Sequence, residues 1–524
     1  MLSLEERQKT KSMQDKIVDL DARRAQLELG GGKDRLDKQH QSGKLTARER
    51  IAALVDKNSF QEIGLFAKHR ATYFGMNGKE LPADGVVTGC ATIDGRQVHL
   101  ASQDFTVVGG AAGETHCSKI ADMMSMSLKT GSPFIFINDS GGARVQEGID
   151  SLDGYARVFY NNVMLSGTVP QIAIICGPCA GGAAYSPALT DFVIQTQQAR
   201  MFITGPQVIK QVTGEDVSAE ELGGPQSQMN ASGVVHLVAR DDAEALALCK
   251  RLLSFLPSNN LEDPPRMSFT SKIKSDSEMN AVLPVDPKVA YDVREIVKRV
   301  VDYQDFYEIQ PGFAANIVIG FGRLQGRPVG IVANQPSVLA GVLDINASDK
   351  SARFVRFCNA FNIPLLTFVD VPGFLPGVEQ ERGGIIRHGA KLLFAYSAAT
   401  VPKITVVLRK AYGGAYIAMC SKGLGADRIL AWPTAEIAVM GAEGAAEIVF
   451  RREIDAAHDQ AARRKELVEE YRETFANPYV AAGRRLVDDI IDPADTRRHL
   501  ALALECLHAK RELRPQKKHG LIPL

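Results

Sequence analysis

The sequence has no excess charge of either sign. Lysine plus arginine and aspartate plus glutamate each number 61 in 524 residues. No net field draws such a chain to nucleic acid or an anionic membrane, so any anion it holds must be held by local groups. Long apolar runs are also missing. None approaches the ~20 residues of a bilayer-spanning helix, because Gly, Pro or charge breaks each one. The charged start, Met1 to Arg24, lacks the apolar segment of a signal peptide. Cysteine is scarce, and eight residues without a secretory signal are expected to be reduced, buried thiols of a cytoplasmic protein. No Cys/His spacing of a zinc site occurs, so no metal is expected. Gly30-Gly31-Gly32-Lys33 lacks the frame of a phosphate loop. Cys176-Gly-Pro-Cys179 has thioredoxin spacing but runs straight into a Gly-Gly turn, which argues against a redox role. Ser140 and Ser186 have no base nearby in sequence and are expected in exposed polar turns. The ten histidines form no cluster, and only His388 is kept as a functional candidate.

What is present is ordinary for a globular protein: 45% hydrophobic and 23% charged residues. The length suggests two to four domains. Residues 1–60 are predicted helical and basic, with Thr46 capping the stretch 47–50, and are expected to form a solvated arm against a neighbouring subunit. From Gly85 the texture becomes short apolar runs and Gly-rich turns. Val86–Ile93 and Val98–Ser102 are predicted strands around Asp94-Gly95. The Pro-, Ser- and Asn-rich stretch 257–290 is expected to be a boundary. It divides the chain into domains 1–262 and 275–524.

After it the same order of landmarks returns. Phe134–Asp139 is an apolar strand followed by Ser140-Gly141-Gly142. Then come Thr168-Val169-Pro170, a strand at Ile172–Cys176, and Gly181-Gly182-Ala183. In the second half Leu365–Asp370 is followed by Val371-Pro372-Gly373, then Thr400-Val401-Pro402, a strand at Ile404–Leu408, and Gly413-Gly414-Ala415. The offset stays close to 232 residues, so the chain is a duplicated α/β domain.

Each half alternates apolar strands with amphipathic helices, which predicts a mixed or parallel sheet layered with helices. Each Gly-Gly pair sits between a strand and a helix-like stretch (Ala183–Leu189; Ala415–Met419). There the backbone offers free N–H groups to an anion or a developing oxyanion, and glycine lets a carbonyl approach. One such pair could serve only helix–strand packing. Two at equivalent places favour two oxyanion holes, and so a reaction between two carbonyl compounds.

Longer motifs carry a resemblance. Asp139-Ser-Gly-Gly-Ala-Arg144, Gly177-Pro-Cys-Ala-Gly-Gly-Ala183, Asp370-Val-Pro-Gly-Phe-Leu-Pro-Gly377, Ala411-Tyr-Gly-Gly-Ala-Tyr416 and Ala431–Gly441 resemble the acyl-CoA carboxyltransferases. The family includes propionyl-CoA carboxylase β subunits, the large transcarboxylase subunit and methylmalonyl-CoA decarboxylase α subunits. The resemblance runs from about residue 20 to the end. It implies two tandem crotonase-like domains, the first binding acyl-CoA and the second biotin, in a hexamer whose active sites combine domains of two subunits. It implies that Gly181 and Gly182 hold the thioester oxygen as an enolate forms, and that Gly413 and Gly414 hold the ureido oxygen of biotin. It places Gly141, Gly142, Ala143, Arg144, Ala183, Tyr185, Ala415 and Ile417 around the substrates. Biotin itself can take the α-proton, so no side-chain base is required. The biotinyl-lysine context Ala/Val-Met-Lys-Met is missing, as is the glycine-rich segment of a biotin carboxylase. The expected partners are therefore a separate biotin carboxyl carrier with a biotin carboxylase, or membrane decarboxylase subunits.

The chain departs from the family pattern at three places. A usual Thr-His is Ser227-Gln228, a usual Gly-Gly-Ser-Leu-Gly is Gly109-Gly110-Ala111-Ala112-Gly113, and an aspartate typical of propionyl-CoA enzymes is Ile417. The expected reaction moves a carboxyl group between carboxybiotin and the α-carbon of a short-chain acyl-CoA, most readily propionyl-CoA/methylmalonyl-CoA. The acyl group, and carboxylation against decarboxylation, stay open. Ile417 faces the acyl pocket or is a core residue of its helix. A crotonase-type hydratase would need one domain and a placed carboxylate pair, and a non-catalytic scaffold is argued against by the intact Gly-Gly pairs.

Overall fold

The structure, a computed structural model, describes residues 12–270, 272–286 and 288–524. The helix expected over residues 1–11 lies outside them. Three helices open the described chain: Met13–Glu28, Lys33–Gln41 and Ala47–Leu54. Ser12 and Thr46 cap the first and third, each in a capping box that satisfies two N-terminal N–H groups. The first helix buries no residue. The third is no solvated arm: Arg50, Ile51 and Leu54 are buried, as is Gln39 on the helix before it. An apolar face of Ile51 and Leu54 leaves water for its own unit, which sequence charge alone did not reveal.

The chain divides into two compact units, up to Leu252 and from Leu253. The first holds an eight-stranded sheet: β1 (Gln61–Ile63), β2 (Val86–Ile93), β3 (Arg96–Gln103), β4 (Phe134–Ser140), β5 (Gln171–Ala180), β6 (Phe192–Thr196), β7 (Arg200–Phe202) and β8 (Leu237–Ala239). β1, β2 and β3 run antiparallel, and Asp94-Gly95 closes the β2–β3 hairpin with Ile93 opposite Arg96. From β3 the order β3-β4-β5-β6-β8 is parallel, and β7 pairs with the end of β5. The parallel strands are buried on both faces and read as continuous apolar runs, as Phe134–Ile137 does. Helices Glu114–Thr130 and Ile149–Leu165 cover one face, where Ile120, Met124, Tyr155 and Val158 meet Phe134, Phe136 and Ile175.

The second unit repeats this topology strand for strand: β9 (Tyr307–Ile309), β10 (Ile317–Leu324), β11 (Arg327–Asn334), β12 (Leu365–Val371), β13 (Lys403–Tyr412), β14 (Arg428–Ala431), β15 (Glu436–Ala438) and β16 (Asp489–Ile490). The order is β16-β14-β13-β12-β11-β10-β9, with β15 on β13. Helices Ile345–Ala360 and Ile385–Ala398 correspond to the covering pair of the first unit. Val297, Trp432 and Leu500 share a core with Ile331, Phe368 and Val406.

The Pro- and Asn-rich stretch expected at a boundary is folded onto the second unit. Asn362 Nδ2 donates to the carbonyls of Asn260 and Glu262, and Met267 N donates to Gly326 O. Among the described residues no helix is long and apolar enough to cross a membrane. All eight cysteines are free; six are buried, Cys90 is half-buried, and Cys506 is exposed against expectation because it ends a surface helix.

Candidate active site

The strands that carry the glycine pairs share an irregularity. β4 and β5 pair in register to Asn138 opposite Ile175, and the next pair is Ser140 opposite Cys179. In the second unit Val369 lies opposite Val407, and the next pair is Val371 opposite Ala411. In each case the strand entering the glycine turn is longer by two residues than its partner, which bends it out of the sheet. Gly181 and Gly413 follow with φ of +62° and +58°, a left-handed conformation that disfavours any side chain. A short helix then starts: Gly181–Ala184 continued by Tyr185–Leu189, and Gly413–Ala418.

The positions before these helices, Ala180 and Tyr412, give no side-chain cap. N–H groups in a first helical turn have no carbonyl partner within the helix, and they carry partial positive charge. Space beside them is open. A Cβ on Gly182 would meet only the Tyr155 ring at 3.5 Å, and one on Gly414 only Phe374 at 3.9 Å. Each turn can therefore receive a carbonyl oxygen.

The loop Gly141–Arg144 supports the first turn from the side. Gly141 N donates to Gly109 O, Gly142 N to Ser140 Oγ, and Ala112 N to Gly142 O. Ala143 bridges to Ala112, and in the second unit Phe374 bridges to Leu343 at the same place. Arg144 is buried, with its guanidinium on Asp84 and Glu147, both at 2.6 Å, and on Ala111 O at 2.8 Å. What this loop presents is a fixed backbone: the amides of Gly141, Gly142 and Arg144 are bonded within the protein. Ala183 and Ala415 are buried, whereas Tyr185 is 51% and Ile417 46% exposed at matching steps after the two pairs. Ile417 is therefore not a core residue of its helix. Tyr185 stacks edge-on against Phe159, which contacts the Tyr155 ring beside Gly182.

Several other expectations resolve here. Ser140 and Ser186 are buried rather than in exposed turns, donating to Gly110 O and to Asn162 Oδ1, because Ser140 ends the buried strand β4 and Ser186 lies on the inward side of the helix Tyr185–Leu189. Cys176 and Cys179 are fully buried. Burial drives both thiols up, Cys179 to about 12, so neither forms a thiolate readily. His388 sits against Asp349 at 2.8 Å and Lys391 at 3.1 Å, on helix Ile385–Ala398. Gln228 donates to Met201 O in β7 and accepts from Ser232, so it ties its loop to the strand beside Gly181. Among the described residues no group of three His, Cys, Asp or Glu side chains is placed to hold a metal ion.

Sequence reading missed the buried charges beneath the turns. Asp139 receives Lys44 at 2.8 Å and Arg50 at 2.9 Å; Asp370 receives Arg409 Nε and Tyr291 OH, each at 3.0 Å. Burial holds the Asp370 carboxyl above its ordinary range, opposed by Arg409. The available signal was an aspartate ending the same apolar strand in both repeats.

The model of the carboxyl transferase domain matches residues 38–522. The chain is 60% identical over 512 residues to the methylmalonyl-CoA carboxyltransferase 12S subunit of Propionibacterium freudenreichii subsp. shermanii, covering 98% of each chain. It is 55% identical to the methylmalonyl-CoA decarboxylase subunit alpha of Propionigenium modestum, covering 97% of this chain and 99% of that one. The crystal structure of the hexameric transcarboxylase 12S, with methylmalonyl-coenzyme A and methylmalonic acid bound, superposes with a TM-score of 0.97 at 60% identity. It covers 98% of this chain and 99% of that one. The two units are tandem crotonase-like domains, and the chain belongs to the carboxyl transferase family, an enzyme that transfers carboxyl groups.

Proposed function

We propose that this chain is the carboxyltransferase component of a biotin-dependent system, moving a carboxyl group between carboxybiotin on a separate carrier and the α-carbon of a short-chain acyl-CoA. The observation that carries the reading is the same open glycine turn in both copies of one fold. The pair propionyl-CoA/methylmalonyl-CoA is favoured because the relatives named above act on methylmalonyl-CoA and others at 54% identity are propionyl-CoA carboxylase chains. The hexameric assembly of the 12S relative supports a hexamer here, and the free cysteines suit a cytoplasmic location.

In the first unit, the first-turn N–H groups at Gly181 and Gly182 donate to the thioester oxygen and stabilise the charge it gains as the α-carbon becomes carbanionic. In the second unit, Gly413 and Gly414 fit the ureido oxygen of biotin: the donors are uncapped, and the face of Gly414 is clear out to Phe374. Carboxybiotin supplies the carboxyl group and, once rid of it, a nitrogen that can take the α-proton. The chain's part is to orient the two carbonyl compounds, to neutralise oxygen charge with fixed dipoles, and to line the acyl position with Tyr155, Tyr185 and Ala183. Direction follows from the partners, which for a carboxylase are a carrier and a biotin carboxylase and for a decarboxylase are membrane subunits.

The test uses Gly182→Val and Gly414→Val with methylmalonyl-CoA as donor and free biotin as acceptor. Neither position has the left-handed backbone of its neighbour, and a Cβ there meets only ring atoms at 3.5 Å or beyond. Both variants should fold. Each should lose about 100-fold or more in carboxyl transfer, because the branched side chain fills the space of the carbonyl oxygen and denies it a contact worth that much to an oxyanion. Wild-type-like turnover in either folded variant rejects the two-turn mechanism.

A further inference from the structure

The doubly bulged strands of the two units are held by the same carboxylate and different cations. Asp139 and Asp370 are the next-to-last residues of β4 and β12, opposite the extra residues of β5 and β13. In the second unit, β13 itself supplies the donors. Lys410 N donates to Asp370 Oδ1 at 3.1 Å, the Arg409 guanidinium meets Oδ2 at 3.0 Å, and Tyr291 OH completes the set. The matching residues of β5 are Gly177 and Pro178. Proline has no N–H to donate, and glycine has no side chain to carry a charge.

The gap is filled from the N-terminal helices. A Cβ on Gly177 would lie 2.0 Å from Asp139 Oδ1 and 2.7 Å from Lys44 Nζ, so the missing side chain is the space these groups occupy. Lys44 Nζ and Arg50 Nη1 approach Asp139 at 2.8 and 2.9 Å, and Gln39 Nε2 donates at 3.2 Å. Arg50 is itself fixed by Asp242 at 2.7 Å, and both Arg50 and Asp139 are 0% exposed at the side chain. Ion pairs so placed act at low dielectric, where removing one partner strands the other. The thioredoxin-like spacing Cys176-Gly-Pro-Cys179 is thereby explained as the socket of this cluster.

We propose that Asp139 and Asp370 are positioning residues for the two glycine turns, and that Lys44, between the second and third N-terminal helices, and Arg50, on the third, set the geometry of the first turn alone. The inference rests on the proposed role of the first turn as an oxyanion hole for the thioester.

Direct binding tests it without biotin or turnover, on the full chain. Two ligands are compared by calorimetry: propionyl-CoA, and a CoA nitronate whose charged oxygens mimic the enolate. Lys44→Met, at the rim of the cluster, is the variant best able to fold, and Asp139→Asn keeps the buried shape. Each should weaken the nitronate about 10-fold or more while changing propionyl-CoA less than about 2-fold, since small misplacements act on the charged state. Lys44→Arg should restore nitronate binding. Asp370→Asn and Arg409→Met should leave both affinities unchanged. Equal losses for the two ligands, or the same loss in the Asp370 variant, would mean a purely structural cluster and overturn the proposal. A wild-type protein that does not prefer the nitronate would instead reject the oxyanion-hole reading of the first turn, and this inference with it.

Discussion

Tyr185 and Ile417 stand at the same step after the two glycine pairs, and each keeps about half its surface exposed. A residue so placed can meet a substrate without being required by the core. Ile417→Asp should therefore leave the melting temperature within about 2 °C of wild type, because exposed positions contribute little to stability. Its effect should appear as selectivity among acetyl-, propionyl- and butyryl-CoA. One methylene in an apolar pocket is worth ~1–3 kcal/mol, so the ratio of kcat/KM values should move about 10-fold. An unchanged ratio removes Ile417 from the acyl site. At this scale the glycines were legible because they repeat at a fixed offset, and Gly181 and Gly413 have a left-handed backbone that disfavours any side chain. The partners of Asp139 were not. Lys44 lies 95 residues away in sequence, and nothing local marks it as facing inward. Ser140 and Ser186 misled for a related reason: a hydroxyl beside glycines resembles a turn, and only the three-dimensional neighbours reveal that it is buried.

Helices Glu114–Thr130 and Ile345–Ala360 show a further correspondence. Each carries an inward lysine at the same place in the repeat, Lys119 and Lys350, that donates to backbone carbonyls in place of a carboxylate. Lys350 Nζ reaches the carbonyls of Gln310, Phe313 and Ile317 at 2.6–2.9 Å, tying its helix to the approach of β10. Glu308, Asp344 and Arg294 are the charged groups whose fields reach it. Burial pulls its pKa from 10.5 down to about 7, and that of Lys119 to about 8. An unfolded lysine keeps its ordinary value, so between pH 7 and about 10.4 the unfolded chain binds the extra proton. The stability attributable to Lys350 should then rise with pH across this window, by up to ~1.4 kcal/mol per unit, and be flat below it. Denaturant unfolding of wild type and Lys350→Met from pH 6 to 10 isolates the effect, because other groups cancel in the difference. A difference that stays constant or falls above pH 7 contradicts the assignment. No bounds for these two helices were legible in the sequence, whereas Thr46 did mark the start of the helix Ala47–Leu54. A lysine inside a helix reads as solvated, and its burial comes from carbonyls that only the fold assembles.

For the molecule as a whole, the duplication was the clearest signal, because four landmarks keep one spacing and both sheets share one strand order. The division of the chain was less clear. Pro-, Ser- and Asn-rich composition marks irregular backbone, yet Asn362 and Gly326 hold that backbone on the second unit, so composition overstated the linker. Composition also bears on what the chain must borrow. Two turns able to hold carbonyl oxygens are encoded here, while the Met-Lys-Met context that accepts biotin is not. The purified chain should therefore show its unmodified mass, with no biotinylated lysine and no shift on adding streptavidin. It should bind CoA esters alone, yet move no carboxyl group until a biotinylated carrier or free biotin is added, with a rate that saturates in biotin. Truncating the chain's own lysines one at a time should not abolish that dependence. Turnover of methylmalonyl-CoA to propionyl-CoA by the chain alone, with no biotin detectable by mass spectrometry, would show a decarboxylation that needs only the first turn, and the second would then need another role.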